Sequence, residues 1–268
     1  MSFSINSNLG ALQAYSALDK VSNSASKAQL KLATQKRINS VSDDTSGYRV
    51  GKELEGKIAS MKSAQNNISS AKNVLSTAES ALSSVNDLLI QIKSKIADSS
   101  DTSKNLTSLS DDINALGDEI VSIFANTTFN TTSLLSGSVP TGSNFVFKTG
   151  ESETTTVNFG TLNTLDLGSI SGGGATSTNI TTLSVDTITT AVQDALGKIG
   201  NYNQRLSIKE DFLTSAISNA SASVSRLMDT DMAMEQLNST KGQIGGNVST
   251  SMLGQLNSAP NSLLSLFR

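Results

Sequence analysis

From Leu54 to Ile96 every seventh residue is large and apolar: Leu54, Met61, Ile68, Leu75, Leu82, Leu89 and Ile96. Three residues after the middle members come Ala64, Ala71, Ala78, Val85 and Ile92, while Ser, Asn, Lys and Gln fill most positions between. Apolar residues spaced alternately three and four apart fall on one side of an α-helix. A strict seven-residue period winds that stripe into a left-handed supercoil against its partners. The pattern predicts one helix to about Asp98, roughly 65–75 Å long at 1.5 Å per residue. Such a seam needs other long helices to cover it, and burial is expected in roughly equal shares from this chain and from neighbouring copies.

The same period recurs on both sides. Residues 4–34 read as a helix whose sevens are Ala11, Leu18, Ala25 and Leu32, an Ala-rich seam that allows close approach of another helix. A break follows over residues 39–47, where Ser42, Asp43 or Asp44 can cap the long helix. After a polar turn at residues 99–103, a third helix carries Leu106, Leu109, Ile113, Leu116, Ile120 and Ile123 on one face. Helix resumes near Asp186, with Val192, Ile199, Leu206, Leu213, Ala220 and Leu227 at sevens, the natural partner of the long helix. A last amphipathic helix carries Leu237, Ile244, Val248, Met252 and Leu256 and ends in Pro260 and Leu263-Leu264-Ser265-Leu266-Phe267-Arg268.

Between Phe129 and about Ser184 the helical period stops. Phe145-Val146-Phe147 and the run from Thr154 to Phe159 are β-prone and flank a polar, Gly-containing turn, which predicts a hairpin. Gly172-Gly173-Gly174 reads as a flexible loop tip, and Thr- and Ser-rich residues 149–190 as a solvated exterior. The predicted fold class is mainly α: a long antiparallel coiled-coil rod formed by paired N- and C-terminal halves, with a small β-hairpin region in the middle.

Composition narrows the chemistry. The 268 residues contain no Cys and no His. That excludes disulfides, thiol catalysis, Cys/His zinc sites, histidine bases and Ser-His-Asp triads. Net charge is only -3, so nothing draws the chain strongly to nucleic acid or anionic membrane. The N-terminus lacks a basic region followed by an apolar core, so no secretory signal peptide is expected. No run of 18 apolar residues exists, so no membrane span is expected. Asp43-Asp44 reads as a helix cap, since no His or third acid stands nearby in sequence for a metal or acid–base site. Gly172-Gly173-Gly174 lacks the Lys-Ser/Thr of a phosphate loop. Catalytic, cofactor-binding and metal-binding residues are all expected to be absent. The terminal helices have little core of their own and are expected to order only when a partner covers them.

Several stretches, in order, resemble bacterial flagellin. Asn8-Leu9-Gly10-Ala11-Leu12-Gln13-Ala14 is similar to its start, and Lys36 to Tyr48 to its R-I-N-S-x-x-D-D-x-x-G motif, here Arg37, Ile38, Asn39, Ser40, Asp43, Asp44 and Gly47. Asn126 to Asn130 and Leu134-Leu135-Ser136-Gly137 are similar to its T-x-F-N-G…L-L-x-G segment, with Thr131 where Gly is usual. Leu196 to Leu206, Ser225 to Glu235 and the terminal Leu263-Leu264-Ser265-Leu266-Phe267-Arg268 are similar to its C-terminal segments.

The resemblance implies a structural subunit that polymerises into the flagellar filament. The hook–filament junction protein of similar architecture is the alternative. It implies an inner coiled-coil domain from residues 1–42 and 229–268, and a rod domain over residues 43–228. The hairpin and loop region would lie at about 139–185, with no large outer domain. The assembly seams would be those of Ala11, Leu18, Ala25 and Leu32, of Leu54 to Ile96, of Ile199, Leu206 and Leu213, and of Leu237, Ile244, Val248 and Leu256. Arg37, Asn39, Asp43 and Asp44 would form the spoke motif. Implied partners are further copies, other flagellins, an export chaperone, and the cap and hook-associated proteins. Export through the flagellum's own channel would place the chain outside the cell without a cleaved signal. At the rod-helix motif L-x-R-x-R-E-L, read by the vertebrate innate flagellin receptor, the aligned residues are Leu89, Gln91, Lys93 and Ser94, so weak receptor activation is expected.

Overall fold

The computed structural model describes residues 8–135, 145–157 and 167–266, the backbone alone for 259–266. The sequence-predicted residues 4–7, the segments 136–144 and 158–166 of the hairpin and loop region, and the terminal Phe267-Arg268 lie outside the described residues. Five helices account for most of the chain: α1 (Leu9–Thr34), α2 (Thr45–Asp98), α3 (Leu106–Asn126), α4 (Asp186–Met228) and α5 (Met232–Leu266). Two antiparallel hairpins separate α3 from α4: β1 (Thr128–Phe129) with β2 (Thr132–Ser133), and β3 (Phe145–Lys148) with β4 (Thr154–Val157). The chain divides into two compact units, one of Met1–Gly56 with Asn219–Arg268 and one of Lys57–Ser218.

In the unit of Lys57–Ser218 the heptad seam of α2 is the core. Ile68, Leu75, Leu82 and Leu89 are buried, as are Ala64, Ala71, Ala78, Val85 and Ile92. Met61 and Ile96, at the ends of the series, are half-buried. Ile113 and Ile120 of α3, and Val192, Ile199, Leu206 and Leu213 of α4, belong to the same apolar cluster. The seam is thus closed by helices of its own chain, against the expectation that copies share this burial equally. Cross-links rise along α2 as they fall along α4, which makes the pair antiparallel: Gln65 Nε2 donates to Thr214 Oγ1 at 2.9 Å, Lys72 meets Glu210 at 2.5 Å, and Lys93 meets Asp186 at 2.8 Å. Asn105 caps α3, its Oδ1 accepting from Thr107 N and Ser108 N.

The predicted hairpin of β3 and β4 is present, pairing Phe145 with Val157 and Lys148 with Thr154. Its outer end is held by Lys209 of α4, paired with Glu153, and by Asn67 Nδ2, which donates to Lys148 O at 3.1 Å. The β1–β2 hairpin is not foreseen by the period-2 pattern, being too short to show one. Its turn residues, Asn130 (φ 47) and Thr131 (φ 65), are both left-handed, as a two-residue I′ turn requires. A β-branched residue is strained there. Thr131 stands where the resemblance puts Gly.

Residues 167–185 correct the reading of a flexible tip in a solvated exterior. Ile170, Ala175 and Ile180 are buried. Asn114 of α3 clamps the loop backbone, donating from Nδ2 to Ala175 O at 2.8 Å and accepting from Ala175 N at 3.0 Å. Asp118 accepts from Gly172 N at 2.8 Å. The backbone at Ile170 O lies so close to Gly117 that a Cβ there would collide with it. The polar sequence hides this packing because the loop is held mainly through its backbone.

Candidate functional site

In the unit of Met1–Gly56 with Asn219–Arg268, α1 and α5 pack antiparallel at close range. A Cβ on Gly242 would fall 2.6 Å from Ala25 Cβ, and one on Gly245 would fall 3.1 Å from Val21 Cγ1. Near the other end, Asn8 caps α1 through Oδ1, accepting from Ala11 N, and donates from Nδ2 to Leu256 O at 3.0 Å. Pro260 has no N–H to give to that carbonyl, so Asn8 takes the vacant acceptor. The helix continues past Pro260 to Leu266.

The packing also corrects the face assigned to α5. Ala11, Leu18, Ala25 and Leu32 of α1 are half-buried toward α5. On α5, Glu235 and Ser239 are buried, and Gly242, Gly245, Ser249, Leu253 and Leu256 are half-buried. Of the predicted seam, only Leu256 lies on this row. Leu237 (49% exposed), Ile244 (58%) and Val248 (54%) point away, with Met252 beside them. Periodicity picks the outward face because the inward one is built from Gly and Ser, which carry no hydropathy signal. Leu9, Leu12 and Tyr15 of α1 are exposed as well. Together these residues leave a large apolar surface uncovered, far more than singly scattered exposed residues.

A cleft of about 480 Å³ opens between α1 and α5, lined by Lys20, Lys27, Lys31 and Lys241 around Glu235. The buried Glu235 carboxylate is met by Lys31 Nζ at 3.5 Å and by Asn238 Nδ2 at 3.1 Å, so its charge is compensated. Asp231 caps α5, accepting from Ala233 N and Met234 N.

The two chain breaks, α1–α2 and α4–α5, are tied side by side. Lys36 and Asp229 form an antiparallel bridge, with Arg37 N donating to Met228 O at 2.6 Å and Thr230 N to Gln35 O at 3.1 Å. Arg37 Nη2 donates to Leu227 O at 2.8 Å, satisfying a carbonyl at the end of α4. Asn39 Nδ2 reaches back to Lys36 O. Asp44 is the cap of α2, accepting from Gly47 N at 2.9 Å. Asp43 instead turns back, accepting from Asn39 N, Ser40 N and Ser40 Oγ. The Ser40 and Asn39 N–H groups hold its carboxyl below the usual carboxylate range. The structure therefore gathers Arg37, Asn39, Asp43 and Asp44 at one place, each bonding backbone.

Sequence reasoning missed Glu55, Lys52, Met228 and Gly51 as members of this tie. Glu55 bridges Lys52 (2.8 Å) and Lys36 (2.9 Å), and the hydrogen bonds from Lys52 and then Lys36 lower its pKa. Met228 is buried, and a Cβ on Gly51 would collide with its Sδ, so that side chain would have to shift. A lone charge or glycine gives no signal until the fold brings its partner. Leu54 is half-buried in this unit.

Of the receptor-motif positions, Leu89 is buried, while Gln91, Lys93 and Ser94 are exposed. Lys93 is engaged by Asp186, and the hydrogen bond and charge of Lys93 lower the Asp186 pKa. Among the described residues no three acids gather into a metal site, and no helix is long and apolar enough to cross a membrane.

Residues 5–139 match the bacterial flagellin N-terminal helical region and residues 182–267 the bacterial flagellin C-terminal helical region. The chain is 30% identical over 154 residues to a putative flagellin, YvzB, of Bacillus subtilis (strain 168), spanning 56% of this chain and 96% of that protein. It is 28% identical over 285 residues to the flagellar filament 33 kDa core protein of Treponema phagedenis, spanning 98% and 99%. It is 27% identical over 305 residues to a flagellin of Bacillus subtilis (strain 168), again spanning 98% and 99%.

Proposed function

The chain belongs to the bacterial flagellin family, and from that membership we propose how its parts divide the work. It is a structural subunit that polymerises with copies of itself into the flagellar filament, the reading its full-length relatives support over the hook–filament junction alternative. The observation that carries the division is the outward apolar face of α1 and α5. Burial contributes about 25 cal/mol per Å² of apolar surface, and in the filament neighbouring subunits provide it. The terminal segments 1–42 and 229–268 therefore form an inner coiled coil completed by polymerisation, while 43–228 forms the rod. The tie of Arg37, Asn39, Asp43 and Asp44 holds the two chain breaks in register.

The subunit has no catalytic role, cofactor or metal. It reaches the outside of the cell through the flagellar secretion apparatus. Its apolar terminal face is kept from aggregating by an export chaperone and is received by the cap and hook-associated proteins. The innate flagellin receptor is engaged weakly: Gln91 offers no charge, and Lys93 has a single ammonium already held by Asp186.

Deletion of Met234 to Arg268 tests the division of work. The truncated protein should remain soluble, helical and cooperative in its melt, yet form no filaments when seeded. Filaments visible by negative-stain microscopy from that variant would refute the role given to α5.

A further inference from the structure

We propose that the cleft between α1 and α5 is a binding site for a short chain of linked inorganic phosphates, whose occupation favours the pairing of the two helices. The site lies within the unit of Met1–Gly56 with Asn219–Arg268 and involves no second copy, so it stands apart from the filament reading above. Lys20, Ser24, Lys27 and Lys31 line it from α1, spaced four, three and four residues apart on one stripe of the helix. Glu235, Asn238 and Lys241, three residues apart, line it from α5. The bare Gly242 lets the two stripes come together, since a Cβ there would fall 2.6 Å from Ala25 Cβ. The unit has six lysines, of which Lys31 pairs with Glu235, and Lys36 and Lys52 with Glu55. The other three, Lys20, Lys27 and Lys241, form no ion pair among the described residues, and all three line the cleft. The Asp43 carboxyl, held down first by the Ser40 N–H, also feels Lys27 through space. Two helices thus bring their unpartnered cations to one cavity.

Four lysines around one glutamate leave a net of three positive charges. Like charges on α1 and α5 repel across the cleft and oppose the pairing that Gly242 permits. Glu235 does not cancel them, because Lys31 and Asn238 already hold its carboxylate. A ligand with several negative charges removes the repulsion. Lysines bind phosphate as point charges, and no Arg lines the cleft to fork a planar carboxylate. No aromatic ring lines it either, so nothing stacks a nucleobase, and the bare phosphate chain is the ligand rather than a nucleotide. The volume of about 480 Å³ falls within the range of small-molecule pockets, about 300–1,000 Å³. A ligand held by both helices binds only their paired state and shifts the equilibrium toward it.

Hydrogen exchange followed by mass spectrometry, on the full-length monomer titrated with sodium tripolyphosphate, tests the site. At about ten times its apparent Kd the anion should slow exchange in residues 17–34 and 235–249 about tenfold, and leave residues 68–92 unchanged. Sodium chloride at equal ionic strength should give no such slowing, since it screens charge without bridging the helices. ATP should act no more strongly than tripolyphosphate. The joint variant Lys20→Gln, Lys27→Gln and Lys241→Gln should keep the monomer melt and lose the slowing, whereas Lys20→Arg, Lys27→Arg and Lys241→Arg together should keep both. No slowing in the parent, equal slowing in the glutamine variant, or equal slowing by chloride would overturn the site. An arginine variant that loses the slowing would overturn its basis in charge, and clearly tighter binding of ATP would overturn the choice of ligand.

Discussion

Replacing Leu82 by Ala tests the core of the second unit. Leu82 is fully buried on α2, and its seam neighbours Leu75 and Leu89 are buried on either side. Truncation removes three carbons, a transfer loss of about 2.4 kcal/mol at about 0.8 kcal/mol per methylene. Leu75 and Leu89 keep the facing helices apart, so the site cannot collapse, and a cavity term adds to the loss. The expected destabilisation is about 3–4 kcal/mol, within the range for leucine truncation in well-packed cores. For a unit of this size that lowers the melting midpoint by about 10 °C. Urea denaturation of the monomer followed by helical circular dichroism measures it, with Ile208→Ala as the exposed control, expected within about 0.5 kcal/mol of the parent. A loss under about 1 kcal/mol for Leu82→Ala, or one matching the control, would refute the assigned register.

Three further outcomes follow from single features. Thr131→Gly should raise stability by about 1 kcal/mol, because it removes a strained left-handed β-branched residue, net of glycine's greater freedom when unfolded; a lower melting midpoint would contradict the I′ turn. Asp43 and Glu55 both have lowered pKa values in the fold, so their contributions are complete above the usual carboxylate range and are lost as pH falls through the lower folded values. With no His in the chain, melts should be nearly flat from about pH 5 to 8 and fall below about pH 4; Asp43→Asn should blunt the acid fall, and an unaltered acid limb would contradict the role given to Asp43. In a reporter-cell assay the purified protein should activate the flagellin receptor weakly, and a full response at ordinary doses would contradict the reading of Gln91, Lys93 and Ser94.

Where a residue's function is to fill space against a periodic partner, the sequence shows it. The sevens of α2 and α4 locate the core of the second unit almost residue by residue, since large side chains at a fixed period leave one covered side. The end of α2 at Asp98 and the β3–β4 hairpin are legible for the same reason. Where contact is made through backbone or small residues, the pattern is silent. Gly242 and Gly245 face α1 because they lack side chains, so hydropathy assigns α5 to its opposite face. The 167–185 loop looks solvated, yet Asn114, Asp118 and Gly117 hold it by main-chain contacts invisible in its own composition. The tie of the chain breaks is half legible: its motif residues stand together in sequence, but Glu55 and Met228 join them only through the fold.

The central claim is that polymerisation covers the apolar face that α1 and α5 leave open. Hydrogen exchange followed by mass spectrometry, on monomer and on assembled filament, tests it most directly. The account predicts fast exchange in residues 8–34 and 232–256 of the monomer, strong protection of the same segments in the filament, and protection around Leu75, Leu82 and Leu89 in both. Terminal segments equally protected in the monomer, or still exchanging fast within filaments, would contradict it.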